Sequence, residues 1–322
     1  MANYIARRVM QMVVVFFGVM LLMFVLTSVL PGDPVKIRAG ERYMSPATRA
    51  AIEQKYGLDK PLWQQYLIYL RDLSRGDFGE SYRQNRNVAD IFKDLYPNTA
   101  LLAVCAIIVE ILIGIGAGVI SAVKRGRFVD WLVTLSTSIL VSLPVFWLGM
   151  LMQRLFGLQF KQWGLPYLPI SGMGGDGLPL WTHLIMPSIV LASVSTAYAA
   201  RIMRSQLLEV NNQDYIRTAH AKGLTSAQVT WKHAMKNALI PVVTFIALDF
   251  GALMSGAILT ETVFNWPGVG HEVYAAIGQR DWPVVMGGVV VIVIVVMVVN
   301  LLTDISYALL DPRIRYDSGA SS

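Results

Sequence analysis

Six long apolar runs constrain the fold of this chain more than any other feature of its sequence. Inside them, Glu110 and Asp249 are the only charged residues; the runs cover residues 9–32, 97–123, 131–153, 184–200, 237–260 and 282–303. A helix that crosses a bilayer needs about 20 mostly apolar residues. The runs therefore predict an all-α membrane protein with six transmembrane helices, and an even number of spans places both termini on the same side.

The charged residues agree with this class and indicate an orientation. They make up only 15% of the chain, against about 25% in average soluble proteins. Lys and Arg collect in the cytoplasmic loops of membrane proteins. If the N-terminus lies inside, the two short outer loops carry only Arg154, Lys161 and Arg280, whereas the inner loops are rich in basic residues. The prediction is an N-in, C-in protein surrounded by lipid, and the net charge of +6 calls for no nucleic acid partner.

The runs divide the chain into four segments. We expect an N-terminal tail with the first transmembrane helix over 1–30, an outer helical segment over 31–96, a five-helix transmembrane core over 97–310 with a cytoplasmic loop at 201–237, and a cytoplasmic tail over 311–322. In the outer segment, one helical pattern opens at Pro46 and ends at Gly57, a second covers 61–73, and 75–79 forms a turn. This segment is either a packed cap over the spans or a docking surface for a soluble partner.

The polar, basic stretch 214–241 lies between two apolar runs. Asp214 is suited to cap a short helix, and Gly223 stands where a left-handed residue ends it. Thr225 and Gln228 have the spacing of a capping box that starts a second helix running into the membrane. A slim helix, kept narrow by Ala219 and Ala221, suits a cleft in another protein. On residue chemistry alone, an ordinary solvated loop is equally consistent.

Motifs along the chain resemble one family. In the loop, Arg217-Thr218-Ala219, three residues and Gly223 resemble the Glu-Ala-Ala…Gly coupling motif of type I ABC importer permeases, with Arg and Thr in the first two positions. These departures are typical of the dipeptide, oligopeptide and nickel permeases. Further matching segments are Pro31-Gly32-Asp33-Pro34, 57–62, Gly76-Asp77-Phe78-Gly79, 259–270, Arg280-Asp281-Trp282-Pro283-Val284 and Asp311-Pro312-Arg313-Ile314-Arg315.

The resemblance implies a non-catalytic permease subunit in a bacterial plasma (inner) membrane. This chain is similar to the first member of a heteromeric pair, so the implied partners are a second homologous permease, two cytoplasmic ATPase subunits, an external solute-binding protein and a peptide substrate. ATP and magnesium would bind to the ATPases and no cofactor to this chain, which has no Gly-x-x-x-x-Gly-Lys-Ser/Thr phosphate loop. The residues implied to contact an ATPase are Asp214, Tyr215, Arg217, Thr218, Ala219, Ala221, Lys222 and Gly223.

Other features leave alternatives open. Intramembrane acids are functional candidates, so Glu110 and Asp249 either line the translocation pathway or are structural carboxyl groups between helices. Residues 266–268, Trp266-Pro267-Gly268, form either an outer gate or docking turn or an interfacial anchor. Glycines at 114, 116 and 118 are expected to allow close helix packing.

Three further expectations follow from the sequence. The four His residues are scattered, and no metal site is expected. One alternative is that the same type of ABC importer takes up a nickel chelate, glutathione or another small solute. A stand-alone secondary transporter, which predicts internal inverted repeats, and a membrane-embedded enzyme are alternatives of other classes.

Overall fold

The computed structural model describes residues 2–29, 45–55, 57, 59–254 and 257–310. Within these residues the structure is helical apart from loops and one isolated bridge between Glu80 and Asn87. Two motifs used above, Pro31–Pro34 and Asp311–Arg315, and the predicted tail over 311–322 lie outside the described residues. The all-α prediction is confirmed.

The helices follow the apolar runs. They are α1 (Ala2–Val29), α2 (Pro46–Lys55), α3 (Leu62–Leu73), α4 (Val88–Val109), α5 (Gly116–Val123), α6 (Phe128–Ser142), α7 (Val145–Met152), α8 (Phe160–Gln162), α9 (Leu180–Val210), α10 (Asp214–Ala221), α11 (Ser226–Val229), α12 (Met235–Met254), α13 (Ile258–Val263), α14 (Val269–Gln279) and α15 (Trp282–Leu310). Single π-helical turns at Glu110–Ile115, Gln153–Gln159 and Thr230–Ala234 join α4 to α5, α7 to α8, and α11 to α12.

Five helical stretches of the described chain are long and apolar enough to cross a membrane. The predicted third span, 131–153, is not one straight helix, because α6 and the stretch from Val145 to Gln162 are bent by 108° at their junction. Leu143 has an extended backbone (ψ 133°) and Pro144 follows it. Proline lacks an N–H and pushes the preceding residue out of the helical region. Six spans result only if the bent pair counts as one.

The chain forms two compact units, residues 1–97 with 268–322, and residues 98–267. The predicted segment 31–96 falls within the first unit, whereas the predicted segment 97–310 is divided between the two units. Helix α4 also begins at Val88 and continues through Pro97, where the second span was expected to begin.

The first unit has a core in which α4 packs against α14 and α15. Its buried members include Val88, Phe92, Val273 and Val284. The predicted helices at 46–57 and 61–73 are confirmed as α2 and α3, and Gly57 has the expected positive φ of +64°. Helix α3 lies against α1, where the Tyr69 hydroxyl donates to Met20 Sδ at 3.7 Å, and burial raises the pKa of Tyr69 to about 12.

The second unit is built around α9. In the 18-residue apolar part of α9, 67% of the residues are buried inside the protein, whereas the corresponding share is 33% or less in each of the other candidate spans. A Cβ on Gly118 would lie 2.6 Å from the Ala200 carbonyl oxygen, and one on Gly114 would lie 3.0 Å from Ala199 Cβ, so these two glycines permit close packing on α9. Gly116 was expected to do the same, but nothing lies within 4 Å of its position.

Candidate functional site

The predicted coupling segment begins with α10, and its start differs from the prediction. Gln213, with an extended backbone, is the N-cap residue and makes no side-chain cap bond. Asp214 is the first helical residue, and its Oδ1 accepts a hydrogen bond from Arg217 Nη1 at 3.2 Å. Asp214 is therefore not a cap. Its negative charge in the first turn instead favours the positive end of the helix dipole.

The end of α10 is a complete Schellman motif. Gly223 has φ +81° and its N–H donates to the His220 carbonyl at 2.9 Å, while the Leu224 N–H donates to the Ala219 carbonyl at 3.4 Å. These two bonds satisfy carbonyls that the helix end would otherwise leave without partners. The role predicted for Gly223 is confirmed.

A second helix starts immediately afterwards. Thr225 Oγ1 accepts from the Gln228 N–H at 3.3 Å, and Gln228 Oε1 accepts from the Thr225 N–H at 3.0 Å, which confirms the predicted capping box. Residues from Ser226 to Met254 then form one helical stretch that is long and apolar enough to cross a membrane. Asn237 Nδ2 donates to the Tyr215 hydroxyl at 2.8 Å and so ties this stretch back to α10.

Helix α10 has one buried face and one exposed face. Ile216 and Ala219 are buried, three residues apart, as side chains on one helix face should be. Ala219, predicted to contact a partner, faces the interior instead. The other predicted contact residues are exposed together with His220, which was not predicted; they are Asp214, Tyr215, Arg217, Thr218, Ala221, Lys222 and Gly223.

The buried face of α10 packs in a cluster with residues of three other helices. Ile216 and Ala219 share one apolar cluster with Val119 and Ala122 of α5, with Met203, Leu207 and Val210 of α9, and with Ala234, Met235, Ala238 and Val242 at the start of α12. Sequence reasoning missed the anchoring role of Ile216, although it is the only large aliphatic residue between Asp214 and Gly223. The buried face of α10 is therefore part of the same apolar cluster as α5, α9 and α12.

A buried ion pair near the same helices was also missed. Arg204 of α9 donates from Nε and Nη2 to Asp130 of α6 at 2.7 and 2.9 Å. The same carboxylate accepts from the Ser121 hydroxyl at 2.5 Å and the Gly126 N–H at 2.9 Å. Asp130 is 6% exposed. Two of these bonds close the α5–α6 turn, and the two from Arg204 hold that turn against α9, the helix that leads into α10.

The two intramembrane acids lie inside the second unit. Glu110 is fully buried at the start of the first π-helical turn. Asp249 of α12 is its neighbouring acid and also interacts with Ser195 of α9. The pathway role of both acids stays a prediction.

Trp266 is fully buried inside the protein. A simple interfacial anchor would instead expose its ring to the headgroup layer. Its Nε1 donates to the Asn98 carbonyl at 3.0 Å, and Asn98 Nδ2 donates to the Pro267 carbonyl at 2.8 Å. Gly268 is the extended N-cap residue of α14. A gate or docking role for Trp266, Pro267 and Gly268 stays a prediction. Within the described residues, no group of three or more His, Cys, Asp or Glu side chains is arranged to hold a metal ion.

Comparison with known families identifies the class of this protein. Residues 114–316 match the model described as "Binding-protein-dependent transport system inner membrane component", and residues 1–103 match the N-terminal model of the same kind of transport component. The chain belongs to this family. It is a multi-pass inner-membrane permease subunit of an ABC importer and not an enzyme, since ATP hydrolysis in such importers is performed by partner ATPases.

Curated relatives of this permease match along almost its whole length. It is 41% identical to the di/tripeptide transport system permease protein DppB of Pseudomonas aeruginosa strain UCBPP-PA14, with 98% of this chain and 99% of the relative covered. It is 40% identical, with the same coverage, to the dipeptide transport system permease protein DppB of Escherichia coli K12. Identity to the glutathione transport system permease protein GsiC of that strain is 36%, covering 98% of this chain and 100% of the relative.

Solved structures share the permease fold. An amino acid ABC transporter aligns with a TM-score of 0.50 at 15% identity, covering 70% of this chain and 94% of the other. The inward-facing MetNI methionine ABC transporter aligns with a TM-score of 0.52 at 18% identity, covering 69% and 96%. At these identities the likeness concerns the fold alone, and it supports the ABC permease architecture.

Proposed function

We propose that this permease forms half of a translocation pathway for di- or oligopeptides and is driven through the exposed face of α10. The observation that carries the proposal is the division of α10 into an exposed polar face and a buried face fixed to α5, α9 and α12. The exposed face of such a helix can bind another protein. When that protein moves the helix, the buried face transmits the movement to the apolar helices packed against it.

The proposed complex contains this chain, a second homologous permease, two cytoplasmic ATPases and an external solute-binding protein. ATP and magnesium bind the ATPases, and this chain binds no cofactor. Closure of the ATPase pair moves α10, and the packed cluster and the Tyr215–Asn237 hydrogen bond carry that movement to α9 and α12. Close-packed protein interiors have low compressibility, so they transmit a displacement and do not absorb it.

Peptides are the proposed substrate class because the relatives with the highest identities quoted above are named for di- and tripeptides. Glutathione is the alternative carried by a second relative, and a nickel chelate remains the alternative implied by the motif resemblance. All these solutes enter through one type of permease, so the choice among them is a question for uptake measurements on the whole complex.

Reconstitution of the complete complex in liposomes tests this function. We expect the complex to take up a labelled dipeptide. This uptake should require ATP on the side of the membrane where the ATPases lie and the binding protein on the opposite side. Excess unlabelled dipeptide should compete fully, whereas glutathione and a nickel chelate should compete weakly. Dipeptide uptake by this chain alone without ATP would favour a secondary transporter, and full competition by glutathione or nickel chelate with none by dipeptide would overturn the substrate assignment.

A further inference from the structure

A loop in the first unit is held in place by one buried carboxylate. Asp281, 2% exposed, lies between α14 and α15 and is the second residue of the motif that begins at Arg280. Its Oδ2 accepts from the Ser81 hydroxyl at 2.5 Å and from the Arg83 N–H at 3.1 Å, and its Oδ1 accepts from the Tyr82 N–H at 3.0 Å. A carboxylate that accepts from three donors fixes the backbone at 81–83.

The loop is fixed at further points. Ser81 is fully buried, and its Oγ accepts from the Gln84 N–H at 2.9 Å. The Gln84 side chain donates to Glu272 Oε1 of α14 at 2.5 Å. At the base of the loop, the Val88 N–H donates to the Gly79 carbonyl at 2.9 Å, and Val88 enters the apolar core of the unit. The segment is therefore preorganised from both ends.

This scaffold displays cations. Arg83 and Arg280 are both exposed, and both adjoin the buried Asp281: the Arg83 backbone is bound to its carboxylate and Arg280 precedes it in the chain. Asn85 and Arg280 have left-handed backbones, with φ of +51° and +59°. Arg86 is already paired with Asp94 at 2.7 Å, and this hydrogen bond raises the pKa of Arg86. The exposed cations of the patch are thus Arg83 and Arg280.

We infer that this surface, defined by Arg83, Gln84, Asn85 and Arg280 and called here the Asp281 patch, docks an acidic surface of the external solute-binding protein. The inference rests on the proposed function and on the predicted orientation, in which 31–96 and Arg280 face outward. Arginine is enriched at interface hot spots, and a preorganised loop binds with a smaller ordering cost than a flexible one. Complementary charge chiefly accelerates encounter.

The patch explains two motifs that the coupling mechanism leaves unused. Gly76-Asp77-Phe78-Gly79 provides the turn before the loop, where Asp77 Oδ1 accepts from the Gly79 N–H at 2.9 Å and Gly79 has φ +82°. Arg280-Asp281 provides one cation and the buried anchor. The motifs lie about 200 residues apart in sequence, as the separation of 200 between Ser81 and Asp281 shows, and they meet at one surface.

The test titrates purified binding protein against the reconstituted complex and measures ATP-dependent uptake. In the double variant Arg83→Glu with Arg280→Glu, the half-saturating concentration of binding protein should rise at least about tenfold, because like charges then face each other. Uptake at saturating binding protein should be unchanged. The matched control, Arg83→Lys with Arg280→Lys, keeps both charges and should stay within about threefold of the native value.

An unchanged half-saturating concentration in the double Glu variant would overturn the inference. So would a loss of saturated uptake with an unchanged half-saturating concentration, since that would place the arginines in transport and not in docking. Failure of the native complex to take up peptide with ATP would instead contradict the proposed function. Raising the salt concentration should weaken native docking more than docking of the double Glu variant.

Discussion

Replacing Asp130 with Asn should strongly destabilise this permease and lower its ATP-driven uptake. Arg204 would keep its charge, with only 32% of its side chain exposed, and would lose the carboxylate that now accepts two of its N–H groups. Removing one member of a buried pair typically costs about 3 kcal/mol or more. The expected readout is a lower midpoint of thermal unfolding in detergent, accompanied by slower uptake by whatever complex assembles.

Two comparisons make this prediction specific. Asp94→Asn breaks an ion pair in which the side chain of Arg86 is 51% exposed and that of Asp94 is 63% exposed. This change should alter the midpoint little, because solvent screens exposed pairs. The exchange Asp130→Arg with Arg204→Asp should not rescue stability, since the Ser121 hydroxyl and the Gly126 N–H would then face a group that accepts no hydrogen bond. Equal midpoints for Asp130→Asn and Asp94→Asn would show that the Asp130–Arg204 ion pair does not stabilise the protein.

Replacing Gly223 with Pro should abolish coupling and leave the protein in the membrane. Proline holds φ near −65° and has no N–H, whereas Gly223 has φ +81° and donates to His220 at 2.9 Å. The C-terminal end of α10 would therefore unravel, while the apolar spans keep their cores. We expect ATP-dependent uptake to fall at least about tenfold, a ratio that corresponds to about 1.4 kcal/mol.

Gly164→Pro is the matched control. Gly164 also follows a helix, has φ +70°, donates its N–H to a carbonyl (Lys161, 3.2 Å) and has nothing within 4 Å of its Cβ position. The local backbone damage is thus the same, but the residue is distant in sequence from α10. Near-native uptake with Gly164→Pro and loss with Gly223→Pro would support the assignment. Near-native ATP-dependent uptake with Gly223→Pro would contradict it.

Local signals in the sequence predicted local structure well. The capping box needs only Thr225 and Gln228 at the right spacing, and the left-handed helix end needs only Gly223, so both were visible without tertiary structure. The spans were visible for the same kind of reason, since a bilayer requires long apolar helices. Proline was less informative: Pro97, Pro187 and Pro241 lie inside helices, whereas the chain bends sharply before Pro144.

Contacts between distant parts of the chain could not be predicted. Asp130 and Arg204 are 74 residues apart, and nothing near either residue signals that they pair. Ser81 and Asp281 are 200 residues apart. The division of α10 into two faces was within reach, because Ile216 and Ala219 have helical spacing, but the small size of Ala219 suggested a slim outer surface and concealed its buried position.

Recovery of the ATPase with this chain from gentle detergent tests the central claim most directly. The exposed alanines Ala221 of α10 and Ala227 of α11 provide a matched pair, because each becomes a bulky protrusion when replaced by Trp. The account predicts that the native chain and Ala227→Trp retain the ATPase and the second permease, and that Ala221→Trp retains only the second permease. Equal recovery of the ATPase with Ala221→Trp, or none with the native chain, would contradict it.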